Sequence, residues 1–149
     1  MTDISFYHLQ RQPLERALPQ LLERVLAAEM KAVVRADSSE RVAALNSLLW
    51  TYDPNAFLPH GSAADGDEAL QPVYLTDSQD NPNHAQVLVL VDGGDQPDLA
   101  TFDRCLDMFD GNDTDAVSDA RKRWSAYKEA GHNVTYWQQG ERGGWEQKA

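Results

Sequence analysis

The sequence predicts an α/β domain, a three-layer α/β/α sandwich around a mostly parallel central sheet. Three observations carry this. Short apolar, β-rich runs alternate with segments whose leucines recur at helical spacing, the order of a parallel sheet with crossover helices. The run Gln86-Val87-Leu88-Val89-Leu90-Val91-Asp92 is continuously apolar between its polar ends, as a central strand covered on both faces requires. The 149 residues, 42% of them hydrophobic, suffice for one packed core.

In chain order, residues 4–9 read as a first strand, short and rich in aromatic and β-branched residues. Gln10-Arg11-Gln12-Pro13 follows it without a glycine, which excludes a dinucleotide fingerprint or phosphate-binding loop there, since both need glycines for close backbone approach to phosphate. Leu18, Leu21, Leu22, Val25 and Leu26 place a helix over about 18–30, with Pro19 tolerated in its first turn. Residues 32–36 form a second strand. Asp37 is the predicted cap of the next helix, with Glu40 three residues on, and Val42, Leu45, Leu48 and Leu49 are its buried stripe. Residues 61–70 are small and acidic, hence loop. Residues 72–76 are a strand, 77–83 are turns, and Gly93-Gly94 ends the central run. A weaker strand at 104–109, a helix at 113–130 and a last strand at 133–137 complete the domain, taken as 1–138. Residues 139–149 are glycine-rich and read as a mobile tail.

The formal charge of −11 is unevenly spread. Between Thr51 and Asp119 fifteen acids face a single base, Arg104, whereas from Ala120 onward six bases face three acids. The middle of the chain should repel nucleic acid, because binding it depends on neutralising phosphates with Lys and Arg. No apolar run approaches the ~20 residues of a membrane span, and the opening residues carry charges and prolines where a signal peptide needs an apolar core. A cytoplasmic protein is the expectation. The lone Cys105 agrees with a reducing compartment.

Catalytic and metal chemistry find little support. His8, His60, His84 and His132 are scattered singly, none with a partner at zinc-ligand spacing. Asp110 to Asp115 resembles the start of a calcium loop, but Asp115 stands where glycine is needed and Arg121 where glutamate is. Cys105 lies in an apolar strand, where packing is its default role. No catalytic residue, cofactor or metal is predicted.

Two stretches invite a binding role. Trp50 and Phe57 lie on a proline-stiffened segment leaving the second helix; they either fold back onto the core or form a docking surface. The helix at 113–130 carries Arg121, Lys122, Arg123 and Lys128. A wheel at ~100° per residue puts Ala116, Ala120, Tyr127 and Ala130 on a core stripe and Val117, Arg121, Trp124, Ser125 and Lys128 on another face. Trp124 between two bases either packs at the sheet edge under their aliphatic stems or anchors an acidic peptide with a hydrophobic end group.

Together, Phe6-Tyr7, Leu49-Trp50 leading to Phe57-Leu58-Pro59-His60, the apolar strand near Gln86, and Ala120-Arg121-Lys122-Arg123-Trp124-Ser125-Ala126-Tyr127-Lys128-Glu129-Ala130-Gly131-His132 before a tryptophan-containing strand resemble the chi subunit of bacterial DNA polymerase III holoenzyme. The resemblance covers nearly the whole chain. It implies a non-catalytic adaptor that joins the psi subunit, and through it the clamp loader, to the acidic C-terminal tail of single-stranded DNA-binding protein. By position, Val117, Arg121, Trp124, Ser125 and Lys128 match the tail-binding helix, and Trp50 and Phe57 match the psi-facing aromatics. Ser125 stands where another base is usual, and Trp124 where a tyrosine is. A replacement partner such as an XPD-like helicase would use the psi-facing surface. The competing reading is a small α/β hydrolase or transferase acting in a cleft near Gly93-Gly94 and His60.

Overall fold

The structure, a computed structural model, describes the chain except residues 1, 11, 54–57, 94, 95, 97, 140–143 and 149. The elements run β1 (Asp3–Leu9), α1 (Leu14–Ala27), β2 (Ala32–Arg35), α2 (Ser39–Thr51), β3 (Gly61–Ser62), β4 (Val73–Thr76), β5 (Val87–Leu90), β6 (Arg104–Asp110), α3 (Thr114–Glu129), β7 (Asn133–Gln139) and β8 (Trp145–Gln147). Short 3-10 turns occupy Ala63–Asp65, Glu68–Leu70 and Leu99–Thr101. The eight strands form one sheet in the order β3-β4-β2-β5-β6-β1-β7-β8, parallel throughout except for β8.

Alternation along each strand sorts the core into two layers. Leu9, Val34, Leu75, Val87, Val89 and Met108 face α1 and α2, which contribute Leu18, Leu22, Leu45 and Leu49. Phe6, Val33, Leu88, Leu90, Cys105 and Phe109 face the other way, toward Ala120 of α3. The predicted sandwich is therefore observed, and Val87–Leu90 is buried at every residue, as the continuous apolar run requires.

Several boundaries differ from the sequence reading. α1 begins at Leu14 rather than near Leu18, because Pro13 takes the cap position and its carbonyl accepts from the N–H groups of Arg16 and Ala17. Pro19 thus sits in the second turn, where its missing N–H forfeits a helical bond but its ring is buried in the core. At α2 the cap is Ser38, whose Oγ accepts from the Arg41 N–H at 3.1 Å; the Asp37 N–H is held instead by Asp92 Oδ2 at 3.0 Å. Within the predicted loop at 61–70, Gly61–Ser62 pairs with β4 as an edge strand and two 3-10 turns follow. Of the residues expected in a mobile tail, Gln139 closes β7 and Trp145–Gln147 pairs antiparallel with it. Trp145 packs on Tyr7 at 5.0 Å between ring centroids, and this apolar contact holds β8 to the sheet.

α3 is bounded sharply. Asp113 Oδ1 accepts from the N–H groups of Asp115 and Ala116, satisfying two of the orphan donors at its start. At its end Gly131 adopts φ +89°, and the N–H groups of Gly131 and His132 bond back to the Lys128 and Tyr127 carbonyls. Only glycine takes that backbone without strain, which is why the helix stops there.

Candidate functional site

The face between α3 and the sheet is aromatic. Phe6 and His8 of β1, Phe109 of β6 and Tyr136 of β7 lie on one side of neighbouring strands, by the pairings Phe6 to Tyr136 and His8 to Phe109. α3 adds Trp124 and Tyr127. Trp124 meets Phe6 edge-on at 5.7 Å and Tyr136 at 5.9 Å; Phe6 also meets Tyr127 at 6.1 Å and Phe109 at 6.4 Å. Such edge-to-face pairs each contribute about 0.5–1.5 kcal/mol beyond their area.

This geometry corrects the predicted wheel. The core-facing stripe of α3 is Ala120, buried, with Val117, Trp124 and Tyr127 half-buried against the same cluster, while Ala130 is exposed and Ala116, also half-buried, is not packed on that cluster. At ~100° per residue those four fall within an arc of about 80°, a narrow version of the apolar stripe of about 100° or more that faces a core. Trp124 is half-buried, and the aliphatic stem of Lys128 brings its Nζ to 5.8 Å from the indole ring. Arg121, Ser125 and Lys128 are exposed just outside the stripe. Of the five predicted residues, then, Val117 and Trp124 form an apolar bed and Arg121, Ser125 and Lys128 its polar rim.

Three neighbours extend the bed without having been singled out for it. Tyr136, Phe109 and His8 pack on one another, with rings 5.1 to 6.1 Å apart, and the Tyr136 hydroxyl contacts His8 Nδ1. Burial raises the Tyr136 phenol pKa, while the Arg121 charge nearby lowers it. Burial also lowers the His8 pKa, opposed by the Gly111 backbone hydrogen bond and by Asp110 and assisted by Arg121. Gly111 leaves room for that ring, since a Cβ there would run into it. The alternation of β1 and β7 could have revealed this cluster, because Phe6, His8 and Tyr136 share one parity with their strand partners.

Arg123, counted among the surface bases, is instead committed to the interior. Its Nε and Nη2 donate to the two oxygens of Asp107 at 2.7 and 2.9 Å, and Asp107 is fully buried in β6. Burial pushes the Asp107 carboxyl up and the Arg123 fork opposes it. Gly93, at φ +70°, lies under the guanidinium, where a Cβ would come within 2.7 Å of Arg123 Nη1. A carboxylate in the middle of an apolar strand is the signal that called for such a partner.

A cleft of about 690 Å³ opens at the C-terminal ends of the strands, lined by Leu9, Val91, Gly93, Met108 and Arg123 among others. Its lining among the described residues contains no His, Cys, Ser, Thr, Tyr or Lys. His60 precedes β3 at the opposite end of the parallel sheet, buried, with its ring nitrogens at the Leu58 and Asn46 carbonyl oxygens. His60 and Gly93 therefore do not share one cleft, and Gly94 lies outside the described residues. Cys105 is fully buried, which pushes its thiol pKa far up and fits a packing role. Among the described residues no group of His, Cys, Asp or Glu could hold a metal ion, and no helix is long and apolar enough to cross a membrane.

Trp50 stands at the end of α2, 53% exposed, with its ring 4.4 Å from that of His60. Phe57 lies outside the described residues. α2 and α3 are on opposite faces of the sheet, so Trp50 and the Trp124 bed belong to two separate surfaces.

Fold and site together define a doubly wound α/β domain whose most distinctive face is an aromatic bed rimmed by bases on an otherwise acidic molecule. The family model for DNA polymerase III chi subunit, HolC, matches residues 1–135, and the chain belongs to that family of replication accessory subunits. It is similar to the probable DNA polymerase III subunit chi of Rickettsia prowazekii (strain Madrid E), with 37% identity over 91 residues. That alignment covers 61% of this chain and 55% of the relative, so it takes in about half of the relative's length. β8 and its Trp145 lie beyond the residues that the family model matches.

Proposed function

We propose that this chain is a non-catalytic adaptor of the replication machinery, linking the clamp loader, through psi, to the acidic C-terminal tail of single-stranded DNA-binding protein. The observation that carries the reading is the pairing of Arg121 and Lys128, both exposed, with the aromatic bed of Trp124 and Tyr136, on a chain of charge −11. An apolar terminal side chain fits against the indole and phenol rings, and the two bases pair with the carboxylates around it. Ser125 supplies a hydroxyl where a further base would add charge, which shifts the weight of recognition toward ring contact. Trp50, exposed on the other face of the sheet, serves the psi side together with Phe57, or an XPD-like helicase in place of psi. Two faces for two partners is what a bridging subunit needs.

Calorimetry with a peptide copying the tail tests the first contact. Binding should be lost when the peptide's terminal apolar residue is replaced by serine, and weakened about tenfold by Arg121→Ala, the effect of removing one charged partner of a recognised carboxylate. Equal affinity for the serine-ended peptide would rule out the aromatic bed as the recognition site.

A further inference from the structure

His8 brings into the aromatic bed a group whose charge can change near neutral pH. Its ring sits on Phe109, 5.1 Å between centroids, and its Nδ1 meets the Tyr136 hydroxyl. Strand register makes this contact. His8 pairs with Phe109 of β6 on one side and Gln138 of β7 on the other, so Tyr136 is its diagonal neighbour on the same face. The opposite edge of the ring, Nε2 and Cδ2, fills the space that a Cβ on Gly111 would take, and the Gly111 N–H is tied to the Leu9 carbonyl at 2.7 Å. The imidazole is thus held in one orientation.

Among the described residues, the charged and titratable side chains that bear on the ring are Arg121 of α3, Asp110 at the end of β6 and Tyr136 of β7. The Gly111 backbone favours a proton on the ring, and it lies beside Nε2. In the neutral ring the hydrogen accordingly belongs on Nε2, which leaves Nδ1 as acceptor and the Tyr136 hydroxyl as its donor. In the charged ring both nitrogens donate. The Tyr136 oxygen must then accept from Nδ1, and its own hydrogen turns away to another acceptor. Burial, and then the Arg121 charge, keep that second proton off His8; the same charge bears on the Tyr136 phenol. A carboxylate pairing with Arg121 cancels the opposing charge and supplies the acceptor that the hydroxyl needs. His8 is already half-buried, so a covering ligand adds less desolvation than its carboxylate offsets.

We propose that His8 and Tyr136 recognise carboxylate by proton uptake: as an acidic peptide binds beside Arg121, Nδ1 of His8 takes a proton from solvent and the Tyr136 hydroxyl turns to donate to the peptide. Tyr136 is the contacting group, and His8 is a positioning residue that acts through it. The inference rests on the reading of this bed as the site for an acidic tail and adds to it two residues and a direction of pH dependence. Binding raises the proton affinity of His8, so the complex gains stability as pH falls through the pKa of the bound form.

Calorimetry of the full chain with the tail peptide, in two buffers of different ionisation enthalpy, reads the proton directly. Near pH 7 the wild type should take up a fraction of one proton per peptide. Its affinity should rise about tenfold from about pH 8 to about pH 5.5, the scale set by one opposite charge within reach of a titrating group. His8→Leu should bind with a flat pH profile and no proton uptake, and Tyr136→Phe should bind more weakly than wild type at about pH 5.5. In the wild type, the imidazole NMR signal of His8 should titrate at higher pH with peptide than without, a readout that does not depend on any variant folding. A flat wild-type profile, a His8 titration that the peptide leaves unchanged, or proton uptake that persists in His8→Leu each overturns the inference, the last by assigning the proton to another group such as His132. A wild type that binds the peptide without taking up a proton keeps the tail site and loses this role for His8; one that binds no tail peptide at any pH overturns both.

Discussion

Two residues decide much of the interior on the α3 side of the sheet, and both are arginines. Arg35, 4% exposed at the end of β2, donates to both oxygens of Asp98 at 2.8 and 2.7 Å, to Gln96 Oε1 at 2.8 Å and to the Asp80 carbonyl, and lies over the Phe102 ring. The Arg35 hydrogen bonds hold the Asp98 carboxyl below the usual carboxylate range. A carboxyl whose folded pKa is lowered adds stability above its unfolded value, about 3.9, and loses it as pH falls through the folded value. Asp98→Asn should therefore cost about 3 kcal/mol near pH 7, since a buried charge is left uncompensated. The deficit relative to wild type should shrink below about pH 4, where the wild-type carboxyl also protonates. Urea unfolding at both pH values measures this, and a deficit independent of pH would contradict it. Asp107→Ala should cost more, about 3–5 kcal/mol, because Asp107 is fully buried and Arg123 has no comparable alternative among the contacts described. Asp107 in an apolar strand signalled the need for a partner, but neither arginine was legible as one, since Arg35 and Arg123 look like any surface base: a charge names its partner only once strand register and helix position bring the two together. Cys105, by contrast, was legible as packing, because an apolar strand on both sides leaves a thiol nowhere else to go.

At the scale of elements, the strands were readable and the helix faces less so. Val87–Leu90 and Val73–Thr76 announce themselves by β-branched and apolar runs. α3 has few apolar residues, and its stripe of Val117, Ala120, Trp124 and Tyr127 emerges only when Trp124 is counted with the core, which its two flanking bases obscured. The start of α1 was missed because the leucine periodicity begins at Leu18 and Pro19 was given the first-turn position, whereas Pro13 is the cap. β8 was missed because a three-residue strand in a glycine-rich segment has no periodicity, and its hold on the sheet comes from tertiary contacts, its pairing with β7 and Trp145 on Tyr7. The ring contact lies on the α1 side of the sheet, opposite the aromatic bed. Deleting 140–149 should thus lower stability by about 1–2 kcal/mol, or roughly 2–8 °C in Tm, while leaving tail-peptide affinity unchanged. Calorimetric melting and the peptide titration check both halves; a truncated chain that melts normally but loses the peptide would place β8 in the binding face instead. On α3 itself, Lys128→Ala should weaken tail binding less than Arg121→Glu, and its effect should shrink as salt rises, because exposed pairs are screened over about 10 Å at 0.1 M. An effect of Lys128→Ala that persists at high salt would mean that the side chain acts through its stem on Trp124.

The whole molecule is an acidic body with one basic, aromatic face and, across the sheet, an exposed tryptophan beside an acidic edge. The charge distribution was legible from the sequence and sets the long-range behaviour: with −11 overall, the isolated chain should bind bare single-stranded DNA poorly even at low salt. A tight complex in a gel shift without any partner protein would contradict that. The separation of the two faces was not legible, because it depends on α2 and α3 lying on opposite sides of the sheet, which follows from the strand order β2-β5-β6-β1-β7. Under the proposed function, that separation lets one small domain hold two partners without competition between them. Sedimentation of the chain with a psi subunit and a fluorescent copy of the single-stranded DNA-binding protein tail tests this most directly. The account predicts that the label sediments with a single ternary species, and that Trp50→Ala releases psi while the label stays with the chain. Displacement of the labelled tail by psi would contradict it.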